Sequence, residues 1–583
     1  MKRFLLLCMV LSVGFACFGT NAFAWQGRMA GMADPYGLLE DESDFLVHPA
    51  MIADGEGVDF YGHFKYLYKD VSDWNYDFSL NPNSIRVLGN QLNIPGLSAL
   101  SLGGGYKGSG DENHYDASAG AAFPLGCGRM GVFFNYKGKN GDYNGTGLFA
   151  GSATLANNPY GAGLVTGYNM DSSIDSFIGR IIYGLPLGAS LKLGAELEVA
   201  YNKDKNSTKE RITDLVFNGN SYKDYFDLTS KNSFVGTLFP FMYPVDSEYW
   251  EITPKVGLTG VSGPVKWGLT VRGGAVFSGD NSWSSSQFLD LYGIPLGVGN
   301  LTPPWDLAAD HGFRMDGDVD GWKVGGDFWL RYALSPCMNL PFLLRVDHRE
   351  INRNGRGAGL VSWDLWDSAA PQNTYTGSYP LGWDYEHKES VFEVETGAGL
   401  EYVPSKTTRI AGGLYYKYMD AKQSLGMTPT ATFALGPPIN TLAVSLPTAY
   451  DPAPDNTEHQ IILRMAAERE INPCFVLRGG LKTFIGWVNE DFALGTNLSP
   501  TGLNLVTSRY SLSGTHWGIM GAIGATAKFT TFEIEPFIQA GYEEYDPDGD
   551  GYLSLVGGVA DAAFDVTKER SEALIGAGIS VRF

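Results

Sequence analysis

The sequence of 583 residues predicts an all-β fold, a transmembrane antiparallel up-and-down β-barrel of about 16–18 strands with short periplasmic turns and long extracellular loops. Three observations predict it: an N-terminal export signal, a ladder of amphipathic strands joined by turns of alternating length, and a last strand that ends on an aromatic residue. The signal peptide is predicted at residues 1–24, a plug-like periplasmic or lumenal segment at residues 25–57, and the barrel at residues 58–583.

The N-terminal residues carry the export signal. Two basic residues at positions 2 and 3 precede an apolar run over residues 4–18, and residues 22–24 match the small-residue cleavage pattern. The run is too short for a membrane helix, which needs about 20 apolar residues, and the residues before Cys17 fit a lipoprotein signal poorly. An exported chain with 75 glycines and 13% aromatic residues is typical of a barrel in a Gram-negative outer membrane.

Amphipathic strands recur along the chain. In residues 191–201, Leu193 and Leu197 alternate with Glu196 and Glu198, so the apolar and the charged side chains lie on opposite faces of a strand. The same alternation recurs at residues 322–334, 392–402 and 477–487. A strand with one apolar and one polar face suits a wall between lipid and water.

The turns between these strands alternate in length. Short turns are predicted at residues 186–188, 262–264, 336–337, 404–406, 473–474 and 529–531. Long polar stretches, predicted as extracellular loops, lie at residues 138–171, 204–246, 280–317, 353–384, 422–455, 491–510 and 547–567. About sixteen strands are recognisable after Leu97, and residues 58–68 and 74–80 supply two further candidates. An even number places both termini in the periplasm, and 18 strands are favoured over 16.

The last strand alternates up to the end of the sequence. Ile575, Ile579 and Phe583 share an apolar face, and Arg582 belongs to the opposite face. A soluble sheet rarely ends on an exposed apolar strand, whereas lipid solvates such a face in a barrel. Phe583 is predicted to be the signal that the barrel-assembly machinery reads. A soluble β-sandwich would not alternate its turn lengths so regularly, and a β-solenoid would show a fixed repeat period, which the sequence lacks.

Composition and motifs exclude several functions. The net charge of −22 excludes a nucleic-acid partner, because phosphate binding needs basic patches. Only Cys127, Cys337 and Cys474 follow the signal peptide, which argues against a full disulfide framework, and no C-x-x-C-H motif attaches a haem. The eight histidines are scattered and Gly-x-Ser-x-Gly is absent, so the sequence predicts no catalytic residues and no enzyme.

The polar faces of the predicted strands carry charges of both signs. Such charges stabilise each other across strands, and they also line a hydrated pathway whose walls set solute preference. The candidate pore-lining residues are Lys192, Glu196, Glu198, Glu251, Lys255, Arg331, Arg345, Asp347, Arg349, Glu393, Glu395, Arg464, Glu468, Arg478, Lys482, Glu533 and Glu535.

Two stretches read D-x-D-x-D-G, a spacing of oxygen ligands that suits calcium. Their carboxylates are Asp316, Asp318 and Asp320 in the first stretch, and Asp546, Asp548 and Asp550 in the second. Neither stretch is flanked by helices, and the glutamate of an EF-hand loop is missing in both. An acidic hairpin tip is therefore favoured over a calcium clasp, and no other cofactor is predicted.

Residues 25–57 do not form a strand pattern, because small apolar residues are mixed with acids and Pro49 interrupts a short helical turn. The segment resembles the N-terminal region of the long-chain fatty-acid transporter family of outer-membrane proteins, with His48-Pro49-Ala50 in place of that family's Asn-Pro-Ala. The resemblance implies a hatch inside the barrel; a periplasmic tail under the first strands is the alternative. The plug candidates are Glu40, Asp41, Asp44, His48 and Pro49.

The sequence thus predicts a porin-like channel in the outer membrane for passive diffusion of small polar solutes or ions. One alternative is a fatty-acid-transporter-like channel for hydrophobic ligands, gated by the N-terminal hatch. A second is a sheath or scaffold for a separate multihaem cytochrome or a lipoprotein complex. The expected partners are outer-membrane lipid, the barrel-assembly machinery and small-molecule solutes, with a lipoprotein or cytochrome under the second alternative.

Overall fold

The computed structural model describes residues 27–33, 35–39, 42–80, 97–155, 158–217, 220–221, 226–231, 246–294, 305–367, 370–429, 433–434, 443–444, 455–498, 503–555 and 560–583. Before the first strand lie one short helix, α1 (Gly27–Ala30), and two 3₁₀ turns, Glu42–Leu46 and Pro49–Asp54. No helix in the described part of the chain is long and apolar enough to span a membrane.

Sixteen long antiparallel strands form the wall of a closed barrel. They are β1 Asp59–Leu80, β2 Leu97–Leu125, β3 Gly128–Leu155, β4 Asn158–Pro186, β5 Leu191–Phe217, β6 Asp246–Ser262, β7 Val265–Ile294, β8 Trp305–Ser335, β9 Met338–Asp367, β10 Ala370–Ser405, β11 Thr408–Pro429, β12 Asp455–Asn472, β13 Phe475–Leu498, β14 Leu503–Lys528, β15 Glu533–Leu555 and β16 Ala560–Arg582. Each strand pairs with the next along the chain, and β1 also pairs with β16, which closes the sheet. The predicted all-β barrel is confirmed.

Four short strands accompany the wall. Asn220–Ser221 pairs with β5, and Phe226–Lys231 pairs with both β5 and β7. Phe433–Ala434 and Ala443–Val444 form a separate two-stranded ladder. None of these segments adds a full strand to the closed wall among the described residues.

The described wall has sixteen strands, so the preference for 18 is wrong. Fifteen of them, β2 to β16, follow from Leu97, one fewer than the sequence predicts there, and the second difference lies in β1. The two candidates at residues 58–68 and 74–80 belong to one strand, β1, whose register shifts between Val71 and Trp74. Such an irregularity moves later side chains to the other face, which interrupts the alternation without ending the hydrogen-bonded ladder. A single irregular strand therefore looks like two in the sequence.

Much of what the sequence predicts as long loops is paired strand. Residues 138–155 of β3, for example, pair with residues 158–175 of β4 in one continuous hairpin. Strands here contain from 17 to 36 residues, whereas about 9–11 tilted residues cross the hydrocarbon core. Because backbone pairing does not require an apolar face, the hairpins continue beyond the membrane with polar side chains. Parts of the predicted loops, such as residues 232–245 and 295–304, lie outside the described residues.

The two faces of the wall separate lipid from lumen. On the outer face Ile575 is 62% exposed, and Leu193, Leu197 and Ile579 are exposed as well. On the inner face of the same wall Glu196 is only 4% exposed. A closed barrel with an apolar outer face is the form in which strands cross a membrane, because every backbone group in the wall is paired. The chain is an outer-membrane β-barrel.

Candidate functional site

The described residues between 27 and 54 lie inside the barrel, and we call them the plug, with lobe 1 at residues 27–33 and 35–39 and lobe 2 at residues 42–54. Inward-facing wall positions that touch the plug are often glycine, because a Cβ atom there would collide with it. A Cβ at Gly480 would meet the backbone of Met32, and one at Gly194 would meet the backbone of Ala50. Both glycines lie near the short-turn ends of their strands, so the plug occupies the periplasmic part of the barrel.

The plug follows the inner circumference of the barrel. Lobe 1 begins beside β15, β14 and β13, continues past β12 and reaches β8 to β11 at Leu38. Lobe 2 continues in the same direction, from β7 at His48 through β6 and β5 to β4 and β3 at Ile52. Of the plug residues between 28 and 53 whose burial the structure describes, most are buried and the rest, among them Arg28, Tyr36 and Asp44, are partly exposed. The plug therefore contacts the wall over most of its length and constricts the lumen.

Lobe 1 packs into an apolar cluster on the inner wall. Met29, Met32, Leu38 and Leu39 are buried against wall residues of β9, β11 and β12, with residues of β8 and β13 at the edge. These wall residues are Leu343, Ala411, Tyr415, Ile462, Ala466, Trp329 and Phe484. Burial of about 25 cal/mol per Å² of apolar surface makes this contact a main source of plug stability.

Polar wall groups hold the backbone of lobe 1. The side-chain amide of Gln539 donates to the carbonyl of Ala30 at 2.8 Å. Arg464 donates to the carbonyl of Tyr36 at 3.0 Å, and Arg331 donates to the carbonyl of Leu38 at 3.1 Å. These donors are needed because lobe 1 has little regular structure, and buried backbone carbonyls must be satisfied elsewhere.

Side chains of lobe 1 add two further contacts with the wall. Arg28 pairs with Glu468 at 2.8 Å, and the same carboxylate accepts a hydrogen bond from Arg478 at 2.7 Å. The guanidinium of Arg345 lies over the ring of Tyr36, 4.6 Å from its centroid. The ionic groups of the wall are therefore coupled directly to the plug.

Lobe 2 packs on a second, separate cluster. Phe45 lies 5.1 Å from the ring of Phe133 and 5.9 Å from that of Tyr61, and Ile52 is buried beside Ile182. The backbone carbonyl of the plug candidate Asp44 accepts the amide of His48 at 2.7 Å. Pro49 then begins the next 3₁₀ turn, a position where its missing N–H costs nothing. Each lobe thus has its own apolar contact area.

His48 connects the two lobes with the wall. Its Nδ1 lies 2.9 Å from Thr270 Oγ1, and its Nε2 lies 3.2 Å from the hydroxyl of Tyr36. Burial is the main cause that lowers the pKa of His48 to about 4, with Arg345 and Arg272 acting in the same direction and Asp327 opposing them. Burial also raises the pKa of Tyr36. A neutral imidazole can accept from one hydroxyl and donate to the other, which suits this bridge.

The plug joins the wall through an exposed connection at residues 55–58. Gly57 adopts a φ of 72°, which favours glycine, and its carbonyl accepts a hydrogen bond from Arg129 at 3.1 Å. Arg129 also forms a buried ion pair with Asp59, the first residue of β1, and Arg582 lies 3.6 Å from the same carboxylate. This group fixes the plug connection at the seam between β1 and β16.

Many predicted pore-lining residues form ion pairs on the inner wall. Lys255 donates to Glu196 at 2.9 Å and to Glu198 at 3.0 Å. The other pairs are Arg345 with Asp327 (2.6 Å), Asp347 with Arg272, Arg349 with Glu251 (3.6 Å), Glu393 with Lys417 (2.9 Å), Glu395 with Arg464 (2.7 Å), Arg331 with Glu401 (3.4 Å), Arg478 with Glu535 (2.9 Å), Glu533 with Lys528 (3.7 Å) and Lys192 with Asp54 of the plug. Lys482 lies partly buried on β13.

Several of these predicted residues hold the plug instead of facing an open lumen. Arg331, Arg345, Arg464, Glu468 and Lys192 all contact it. The sequence pattern misses Tyr36 on the plug and the wall residues Thr270 and Gln539, which contact His48 and Ala30, because none of these three carries a charge. Glycines on the inner face are the sequence signal that could have located the contact. Glu40 and Asp41 lie outside the described residues.

The calcium stretches are not loops. Asp316, Asp318 and Asp320 lie within β8, and the three carboxylates from Asp546 to Asp550 lie within β15. Alternate strand positions place the three carboxylates of each stretch on one exposed face, spread along about 13 Å of strand, so they do not converge on one ion. Among the described residues, no group of three or more His, Cys, Asp or Glu is arranged to hold a metal. The hairpin-tip interpretation is wrong for the same reason.

A small cavity remains between the lobes and the wall. It is lined by Tyr36 and His48 of the plug and by Trp329, Arg331 and Leu343 of the wall. It lies at the junction where both lobes meet β8 and β9.

Comparison with known proteins yields structural similarity only. No family model matches the sequence, and no curated protein does. The chain is similar to a Pseudomonas aeruginosa FadL homologue, with 12% identity, a TM-score of 0.34 and coverage of 97% of this chain and 99% of that one. It is similar to the Pseudomonas putida toluene transporter TodX, with 11% identity, a TM-score of 0.32 and coverage of 95% and 97%. It is also similar to the Ralstonia pickettii toluene transporter TbuX, with 12% identity, a TM-score of 0.26 and coverage of 95% and 97%.

Proposed function

We propose that this chain is a gated outer-membrane transporter for small hydrophobic molecules, without enzymatic activity, in which the plug must move before solute passes. The observation that carries the proposal is the path of the plug, which contacts the inner wall from β15 round to β3 with most of its described residues between 28 and 53 buried. An open porin would leave a hydrated passage at this level. The hatch alternative therefore has more support than passive diffusion.

The wall beneath the plug supports a hydrophobic solute. Displacement of lobe 1 would uncover Leu343, Tyr415 and Ile462, and displacement of lobe 2 would uncover Phe133 and Ile182. Apolar surface of this kind binds apolar solutes and disfavours hydrated ions. The charged groups of the inner wall are largely paired with each other, which leaves little net field to attract an ion.

A disulfide between plug and wall tests the proposal. A Cβ placed on Gly37 lies 3.0 Å from the Cβ of Leu343, about 0.5 Å closer than a disulfide needs, so a small outward shift of the plug backbone brings the pair to bonding distance. Gly37 has a φ of 77°, so a cysteine there adds strain of its own, for which the single variant controls. Cys127, Cys337 and Cys474 are free and are replaced by Ser in the background. In Gram-negative cells with an intact outer membrane, oxidised Gly37→Cys/Leu343→Cys should take up radiolabelled toluene at least about tenfold more slowly than after reduction. Toluene is chosen because two similar structures are described as toluene transporters.

The single variant Gly37→Cys, oxidised in parallel, controls for the substitution and for the oxidant. Equal uptake in the oxidised and reduced double variant, with the disulfide verified by mass spectrometry, would contradict the gate. Planar-bilayer recording distinguishes a porin from a gated transporter, because steady ohmic steps in the unmodified protein would support passive diffusion. Co-purification of a cytochrome or lipoprotein would support the sheath or scaffold.

A further inference from the structure

The wall groups that hold lobe 1 share one chemical preference. Gln539, Arg464 and Arg331 each donate to a neutral backbone carbonyl, of Ala30, Tyr36 and Leu38 respectively, at 2.8–3.1 Å. Around two of these donors the surface is apolar, with Leu343, Tyr415 and Ile462 each at most 2% exposed. Lobe 1 thus contacts the wall as a ligand would. Its carbonyl oxygens accept hydrogen bonds from the donors, and its apolar groups pack between them.

Both arginines already have carboxylate partners in the wall. Arg464 pairs with Glu395 at 2.7 Å, and Arg331 lies 3.4 Å from Glu401. Glu395 is 5% exposed and Glu401 is fully buried. A second carboxylate brought to these donors would lie close to a buried negative charge, which is unfavourable in a poorly hydrated site. A neutral acceptor takes the remaining N–H without this repulsion.

We infer that the lobe 1 site binds small hydrophobic molecules that carry one neutral carbonyl, such as ketones, esters or amides, and that these displace lobe 1 by taking over its hydrogen bonds. The inference rests on the proposed function, whose solute class it narrows. When lobe 1 leaves, its wall donors lose their acceptors, and an unsatisfied buried donor is costly. A carbonyl solute satisfies one of them and stabilises the open state; a hydrocarbon cannot.

Three aromatic probes of similar size test this selectivity. Purified full-length protein in detergent is titrated calorimetrically with ethylbenzene, acetophenone and benzoate. Acetophenone should bind about tenfold more tightly than either of the others, the gain expected for one hydrogen bond to a charged donor. Met32→Cys in the cysteine-free background reports lobe 1, because Met32 is fully buried while the lobe is in place. Its maleimide labelling should rise at correspondingly lower concentrations of acetophenone.

Removing the donors should remove the preference. Arg464→Met with Glu395→Gln avoids a buried unpaired charge, and Gln539→Met removes a neutral donor alone. Each should reduce the ratio of acetophenone to ethylbenzene affinity by at least about threefold. Arg356→Met with Asp384→Asn, an exposed pair away from the plug, is the matched control and should leave the ratio unchanged.

Equal affinity for acetophenone and ethylbenzene, tighter binding of benzoate, or a preference that survives both variants would overturn the inference. The experiment with a disulfide between positions 37 and 343 distinguishes failure of this inference from failure of the proposed function. If the disulfide still blocks toluene uptake, the gate stands and only the carbonyl preference is wrong. If it does not, the gate fails, and the calorimetric ratio still decides whether the wall binds a carbonyl.

Discussion

At the residue scale, the plug is held by a few side chains with distinct chemistry. Apolar residues of both lobes supply the contact area, three wall donors satisfy backbone carbonyls, and His48 bridges the lobes to Thr270. His48 differs from the other anchors because its charge can change in an accessible pH range. We therefore expect the pH of the solution to act on the plug through His48.

Acid should loosen the plug through His48. The pKa of His48 in the packed plug is lowered to about 4 from an ordinary value of 6.5, so the released plug binds more protons between these values. Stability of the packed state is then complete above pH 6.5 and declines as pH falls towards 4, by up to about 3 kcal/mol. The titratable and charged groups around His48 are Tyr36, Asp44, Arg272, Asp327, Arg331 and Arg345.

Bilayer conductance at constant salt measures the effect. Open events should become more frequent from pH 6.5 to 4 in the natural protein, and His48→Asn should flatten this dependence because an amide does not titrate in that range. An equal pH dependence in both proteins would assign the titration to another group.

The ion pair at the plug connection should matter for the whole fold. Arg129→Met leaves Asp59 with the more distant Arg582 and a hydrogen bond from Tyr61, so the buried carboxylate loses its nearest cation and we expect a loss of about 3–5 kcal/mol in stability. The temperature at which the barrel loses its compact gel migration reports this loss. Arg129→Met with Asp59→Asn should recover most of it; no recovery would mean that packing, not charge, is responsible.

At the element scale, inward glycines allow strands and plug to approach closely. Gly194 and Gly480 leave no room for a Cβ, whereas a Cβ on Gly521, which shares the outer face with Ile519 and Ile523, would meet no atom within 4 Å. A long strand can therefore serve as wall at one residue and as plug contact at another. The described residues of the plug form no sheet or long helix, so the plug takes its conformation from this surface.

Filling these positions should displace the plug and leave the barrel intact. Gly194→Val or Gly480→Val should raise single-channel open probability by at least about fivefold, because overpacking of this kind typically costs about 1–3 kcal/mol. Gly521→Val is the matched control and should behave as the natural protein. Heat-modifiable migration verifies folding. Unchanged conductance in both variants would show that the plug adapts without leaving.

At the scale of the whole molecule, the seam between β1 and β16 closes the barrel and holds the plug connection. Phe583 exchanges backbone hydrogen bonds with Phe60 at 3.0 Å, beside Asp59 where the plug joins the wall. Phe583 thus forms the last pair of the β1–β16 ladder, which closes the barrel. Assembly and plug anchoring share this part of the structure.

Removing Phe583 should reduce assembly more than transport. We expect about a tenfold lower yield of heat-modifiable barrel, with near-normal toluene uptake per assembled molecule. Quantitative membrane fractionation, with uptake normalised to folded protein, checks this. Phe583→Trp keeps a terminal aromatic and is the control. A normal yield after deletion would remove Phe583 from the assembly signal.

The sequence alone determined the barrel, because alternation of apolar and polar residues follows from which face meets lipid. Leu193 and Ile575 face lipid, whereas Glu196 and Arg582 face the lumen, and this difference can be read directly from the alternation in the sequence. The strand number and hairpin extents depended on backbone pairing, which continues through the irregularity in β1 and through polar stretches such as residues 138–171 without a side-chain signal. The contacts of the plug depended on the tertiary structure alone. They join Arg28 to Glu468 and Ala30 to Gln539, residues more than 400 positions apart whose pairing no local pattern encodes.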